Sequence, residues 1–146
     1  MENDKMENNK TEIDSCTISK DKALLQFERI YDMLAKSYWA QNRPKEIIQK
    51  SIDNSLCYGV YIKNVQVGFA RIITDYATAY YLCDVIIDEA YRGMGLGKRL
   101  ISEIVEDEQL KLLLGILITS DAHGLYEHFG FVKDGNKFMR KIKPHT

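Results

Sequence analysis

Three cysteines in 146 residues, Cys16, Cys57 and Cys83, are too few, too uneven and odd in number for a disulfide framework, and no two have metal-ligand spacing. Neither sign of charge prevails, with 20 basic residues against 21 acidic ones. No field of one sign therefore recruits nucleic acid or an anionic membrane, and partners of those kinds are not expected. Long apolar runs are missing as well. The longest, residues 112–118, is far short of the ~20 needed to span a bilayer. Residues 1–9 are polar and charged, unlike a signal peptide. These absences predict a cytoplasmic protein of a reducing compartment. No internal repeat, low-complexity tract or second domain is visible. A tail over residues 1–10, whose only apolar side chains are two methionines, is expected to be disordered, with one domain over residues 11–146.

The apolar pattern predicts the elements of that domain. Ile13, Cys16 and Ile18 alternate weakly and predict a first, edge strand over residues 11–19. Leu24, Phe27, Ile30, Tyr31, Leu34 and Tyr38 form a helical stripe. Asn42-Arg43-Pro44 breaks the chain, and Pro44 suits the first position of a second helix with Ile47, Ile48 and Ile52 on one face. Residues 56–63 and 65–74 flank a tight turn at Lys63-Asn64 and predict a hairpin, followed by a strand over residues 80–87. A third helix is expected from Gly95 to about Gln109, with Leu96, Leu100, Ile101, Ile104 and Val105 inward. Residues 112–119 are continuously apolar, which predicts a strand covered on both faces. Ser120-Asp121 can cap a short helix through His128 that Gly130 ends, and residues 131–143, with Asp134-Gly135-Asn136 in the middle, predict a closing hairpin. Strands and helices mixed in this way predict an α/β or α+β domain.

Chemistry concentrates in residues 85–100, where Val85-Ile86-Ile87 leads through Asp88-Glu89-Ala90-Tyr91 into Arg92-Gly93-Met94-Gly95-Leu96-Gly97-Lys98. Three alternate glycines between a strand and a helix let the backbone turn sharply and gather its N–H groups. The helix start adds unpaired donors and the positive end of the peptide dipoles, so a phosphate-bearing ligand suits the site. As a mere turn the triplet would be wasteful, since each glycine costs about 0.5–1 kcal/mol of backbone entropy against alanine. A Walker loop fails twice: the glycine required five positions before Gly97 is Arg92, and Arg99 stands where Ser or Thr is needed. A dinucleotide fingerprint fails too, because its last glycine falls on Lys98 or on Leu100.

Arg92, Gly95 and Gly97 fit Arg-x-x-Gly-x-Gly followed by a helix, and Leu125-Tyr126-Glu127-His128-Phe129-Gly130-Phe131 supplies a second signature about thirty residues on. On these two motifs, in this order, the chain resembles the GCN5-related N-acetyltransferases (GNAT) from about residue 24 to residue 143. The resemblance implies the family's central, mixed, mostly antiparallel sheet with helices on both faces and a splay between the fourth and fifth strands. It implies acetyl-CoA as co-substrate, with no metal, and an amine acceptor that is a small molecule or a peptide. The pyrophosphate would lie on the N–H groups of Arg92, Gly93, Met94, Gly95, Leu96, Gly97 and Lys98. The pantetheine arm would lie along the main chain of Val85, Ile86 and Ile87, where an N–H near Ile86 or Ile87 would polarise the thioester carbonyl.

Transfer to an amine needs two proton movements. An amine of pKa about 10 is roughly one part in a thousand neutral at pH 7 and must lose a proton, while the departing thiolate must gain one. The resemblance gives the second task to Tyr126. For the first, Asp84 precedes the pantetheine-binding segment, although plain alternation sets it on the opposite face from Cys83 and Val85 unless a bulge intervenes. His123, three residues before Tyr126, and water are alternatives; Asp121 suits a cap better, and Cys83 lacks the flanking His and acid of a nucleophile. Tyr38, Trp39, Arg43 and Tyr76 are the expected acceptor contacts. A homodimer is compatible with the resemblance. Two rival readings are a catalytically silent CoA-binding sensor of the same fold and an interaction domain whose glycine turn is structural.

Overall fold

The computed structural model describes residues 14–144; the predicted tail over residues 1–10, and the beginning of the first strand, lie outside the described residues. Strands β1 (Thr17–Ser19), β2 (Leu56–Ile62), β3 (Val65–Thr74), β4 (Ala79–Ile87) and β5 (Leu114–Leu117) form one sheet in that order. β1 to β4 run antiparallel and β5 joins β4 in parallel. Helices α1 (Phe27–Ala35) and α2 (Lys45–Asp53) cover one face. α3 (Leu96–Val105) and the short α4 (His123–Glu127) cover the other.

Each helix lays down an apolar stripe of helical period. Ile30, Met33 and Leu34 of α1 and Ile48 and Ile52 of α2 pack on Cys57, Phe69 and Ile86. Leu96, Leu100, Ile101 and Ile104 of α3 pack on Tyr58, Val60, Ala70, Ile72, Tyr80 and Leu82. Lys63 and Asn64 both take positive φ, +49° and +64°, as a two-residue hairpin turn between twisted strands requires.

Several expectations shift. Residues 22–24 form a 3₁₀ turn instead of opening α1, and Leu24 is half exposed. Pro44 caps α2 and does not begin it, and Ile47 faces solvent. α3 ends at Val105, short of Gln109, with Leu110 buried in the turn beyond. Neither Ser120 nor Asp121 caps α4. Ala122 holds the cap position, and the Thr119 hydroxyl accepts from the Ala122 N–H at 3.1 Å.

Two corrections concern the far edge. β5 is four residues long and covered on one face only, because α1 and α2 reach no further than β4; Leu114, Ile116 and Ile118 stay exposed. The closing hairpin does not form. Residues 131–144 contain no strand, and only the turn forms, where the Lys137 N–H donates to the Asp134 carbonyl at 3.4 Å. Val132, Phe138, Met139 and Ile142 are all exposed and alternate with lysines and Arg140. An isolated two-stranded ribbon without an apolar face to bury is marginal at best.

The predicted splay is present. The β4–β5 ladder begins at Ala79↔Leu114 and stops at Leu82↔Leu117, while β4 continues to Ile87. Of its last five residues, 83–87, Cys83, Ile86 and Ile87 pair with β3, and among the described residues no strand pairs with any of the five on the other side.

Candidate functional site

At the end of β4 the Asp88 N–H donates to the Val67 carbonyl at 2.8 Å. The Asp88 carboxylate caps a 3₁₀ turn (Glu89–Tyr91) by accepting from the Ala90 N–H at 2.9 Å, and it pairs with Arg29 at 3.0 Å. The chain then passes through two left-handed residues, Gly93 (φ +78°) and Gly95 (φ +84°), the second capping α3. The first helical bond of α3 is donated by Arg99 to the Gly95 carbonyl. Consequently the six N–H groups of Gly93 through Lys98 have no backbone or side-chain acceptor among the described residues.

A Cβ on Gly93 or Gly95 would meet no atom within 4 Å, and one on Gly97 would meet only Ile87 Cγ1 at 3.9 Å. The fold's own packing therefore does not demand these glycines. Gly93 and Gly95 are required by their backbone conformation, Gly97 by neither, and the result is bare main chain open to close approach. Gly95→Ala is expected to cost about 1–2 kcal/mol, the penalty of a left-handed L-residue, read as an earlier urea midpoint; no shift would mean the turn relaxes freely.

Arg92 folds back, its Nε donating to the Ile87 carbonyl at 2.9 Å, while Lys98 stands exposed on the first turn of α3. Met94 is half-buried and Leu96 anchors the helix in the core. Val85 and Ile87 pack towards α3 and Ile86 towards α1. The side chains of this segment thus fill both cores, and its backbone edge beyond Leu82 lines the splayed gap.

One extra residue in β4 sets the opposite wall. β3 pairs Phe69 with Ile86 but Arg71 with Cys83, so Asp84 and Val85 together oppose Ala70. This is a bulge, and Asp84 carries φ +52°. The bulge turns Asp84 towards the α1–α2 face, where it is 5% exposed. It accepts from Trp39 Nε1 at 3.0 Å, Arg43 Nη1 at 2.8 Å and Arg71 Nε at 2.9 Å. Burial pushes its carboxyl up, but hydrogen bonds and charge from both guanidiniums outweigh that and hold it below the usual carboxylate range. Arg71 also reaches the Ser55 hydroxyl at 3.2 Å.

From Trp39 the wall continues to Tyr38, edge-on at 5.1 Å between centroids. The Tyr38 hydroxyl accepts from Ser120 Oγ at 2.6 Å, and Ser120 lies beyond β5, so this bond bridges the mouth of the gap. Tyr126 enters from the α3 side, 9% exposed and packed edge-on against Phe131. Burial, then the charges of Asp121 and Tyr38, push its phenol up to about 12. His123 opens α4 three residues earlier, half-buried.

The gap thus brings together Tyr38, Trp39, Arg43, Asp84 and Tyr126. Tyr76 makes no hydrogen bond or ring contact with them: it stands half exposed in the loop between β3 and β4, with φ +60°. Arg71 and Ser120 were not among the expected site residues. A lone arginine inside the apolar run Val67–Ile73 was the signal for the first; nothing local marks the second. Among the described residues no His, Cys, Asp and Glu group is placed to hold a metal, and no helix is long and apolar enough to cross a membrane.

Comparisons with known proteins agree with this arrangement. Residues 53–133 match the family model described as an acetyltransferase (GNAT) domain. A crystal structure from Xanthomonas campestris, assigned to the GNAT acetyltransferases, is 38% identical with a TM-score of 0.83, over 88% of this chain and 94% of the other. An uncharacterized N-acetyltransferase of Gracilaria tenuistipitata is 31% identical over 63% of this chain, and the chain spans about half, 54%, of that relative's length. A GNAT acetyltransferase from Elizabethkingia anophelis with acetyl-CoA bound shares the fold, at TM-score 0.62 and 17% identity over 80% of this chain and 75% of the other.

Proposed function

The chain belongs to the GNAT family of acetyltransferases, and from that premise we propose that it moves an acetyl group from acetyl-CoA directly to an amine bound in the same complex. The observation that carries this reading is the run of six N–H groups without acceptors, from Gly93 to Lys98, on glycines whose missing Cβ atoms leave the main chain bare. Such a surface fits a pyrophosphate, and each charge-assisted bond contributes about 1.5–3 kcal/mol before ordering costs. The acetyl-CoA bound in the Elizabethkingia relative supports the same co-substrate.

When bound, acetyl-CoA supplies a thioester carbon open to attack. This chain's residues do the rest. The unpaired edge of Val85, Ile86 and Ile87 takes the pantetheine amides as an added strand would, and an N–H at Ile86 or Ile87 holds the carbonyl oxygen. Tyr126 keeps its proton at any working pH and presents its hydroxyl to the sulfur. Tyr38, Trp39 and Arg43 form the acceptor wall, without Tyr76. Asp84 positions that wall and is a poor base, since protonating it would break its pairing with two guanidiniums. The amine's proton is left to His123 or water.

Gly97→Ala separates binding from folding. It removes no native contact and improves helix propensity, so the urea midpoint is expected to hold or rise. Calorimetry should show acetyl-CoA binding tightly to the native protein and at least tenfold more weakly to the variant. An unmodified protein that ignores acetyl-CoA sinks the reading.

A further inference from the structure

Resting on that acetyl-transfer reading, we infer that the amine acceptor carries a carboxylate and that Arg43 reads it. The acceptor wall holds one carboxylate and two guanidiniums. Asp84 is paired with Arg43 at 2.8 Å and with Arg71 at 2.9 Å, and the side chains of all three are less than a quarter exposed, at 2%, 23% and 13%. The cluster therefore keeps one positive charge in a setting that water screens poorly. A structural ion pair needs a single cation. The second leaves the cluster with a positive charge that Asp84 does not balance, and that is the anomaly.

The two arginines are not equivalent. Arg71 spends Nε on Asp84 and Nη1 on Ser55. Arg43 gives one N–H from Nη1 to Asp84, and its Nε and Nη2 have no acceptor among the described residues. A guanidinium offers five donors in a fixed fork that matches the two oxygens of a carboxylate. Arg43 is also the more exposed of the pair, and it follows directly on the Tyr38–Trp39 segment that bridges the gap to Ser120. The opposite wall has the opposite sign. Asp121 lies close enough to Tyr126 for its charge to bear on the phenol. An acceptor with a carboxylate at one end and an amine at the other matches both walls, the carboxylate on Arg43 and the amine beside Tyr126. A polycationic acceptor meets an unmatched guanidinium at the same place.

The test uses the full chain, a panel of amino acids and, for each, its carboxamide and the amine with the carboxylate removed. Thiol release from acetyl-CoA is followed with each, and acetyl-CoA binding is measured separately by calorimetry. The acids are expected to exceed their amides in kcat/KM by on the order of 10²-fold, because the amide offers the Arg43 fork neither a charge nor a second acceptor oxygen. Arg43→Gln should abolish that preference by slowing the acids at least tenfold more than the amides, and acetyl-CoA binding read on the same protein shows that the variant is folded. Arg43→Lys, which keeps the charge but not the fork, should recover part of it.

Amides turned over as well as acids, or an acid preference that survives in Arg43→Gln, overturns the inference while leaving the acetyl-transfer reading standing. Should no amine release thiol, direct binding decides. N-acetyl amino acids are titrated against their amides on protein saturated with CoA, and equal affinity for the two overturns the inference. Failure of acetyl-CoA to bind overturns the acetyl-transfer reading, a separate result.

Discussion

Tyr126→Phe is expected to lower turnover by about 10²–10³-fold, the usual contribution of a positioned proton donor, while acetyl-CoA binds as before. The phenol lies at the gap with its ring held edge-on by Phe131 and its residue 9% exposed, so removing one oxygen leaves the packing intact. Its pKa is pushed up to about 12 by burial, helped by Asp121 and Tyr38. A group raised in this direction keeps its proton across the working range. No alkaline loss of activity from Tyr126 is therefore expected at the ordinary phenol value, about 10. Stopped-flow thiol release against pH would check both statements. Turnover within threefold of the native value in the phenylalanine variant would remove Tyr126 from the reaction.

The second large effect is on stability. Asp84→Asn keeps the shape of the side chain and an oxygen for Trp39 but removes the charge that Arg43 and Arg71 share. Breaking one partner out of a buried ion cluster costs about 3–5 kcal/mol, because the remaining charges stay desolvated. That is a large part of the 5–15 kcal/mol that typically separates folded from unfolded domains. The pH dependence follows from the depressed folded pKa of Asp84. Its stabilisation is complete above the carboxyl's unfolded value, about 4, and is lost as pH falls through the lower folded value. Urea titrations should show a wide gap between native and variant proteins at pH 7 that closes progressively below about pH 4. A gap under about 1 kcal/mol at pH 7 would mean that the cluster is solvated after all.

Asp84 and its two guanidiniums meet the splayed gap because of a single backbone irregularity. Without the extra residue in β4, Asp84 would follow Leu82 onto the α3 face, away from Trp39 and Arg43, and Val85 and Ile87 would leave their core positions. The bulge is thus what places an acidic residue on one face and the unpaired edge of β4 immediately after it. The cost of holding Asp84 at φ +52° is offset by the three hydrogen bonds its carboxylate receives.

What local chemistry dictates was legible before any contact was known. Alternate glycines between a strand and a helix defined the run of bare N–H groups, since positive φ and bare main chain are properties of glycine wherever it stands. Helical and strand periods identified the order of elements from β1 to α4, though not the absence of the closing hairpin, and Lys63-Asn64 identified the hairpin turn. Tertiary structure alone decided matters of distance along the chain. The bulge needs two strands before it can exist, Arg71 meets Asp84 only across that ladder, and Ser120 reaches Tyr38 only when β5 docks beside β4. The exposed face of β5 and the strandless 131–144 segment have the same origin. An apolar run or a turn motif states that burial or pairing is favourable, but whether a neighbour is present to provide it depends on how far the helices reach across the sheet.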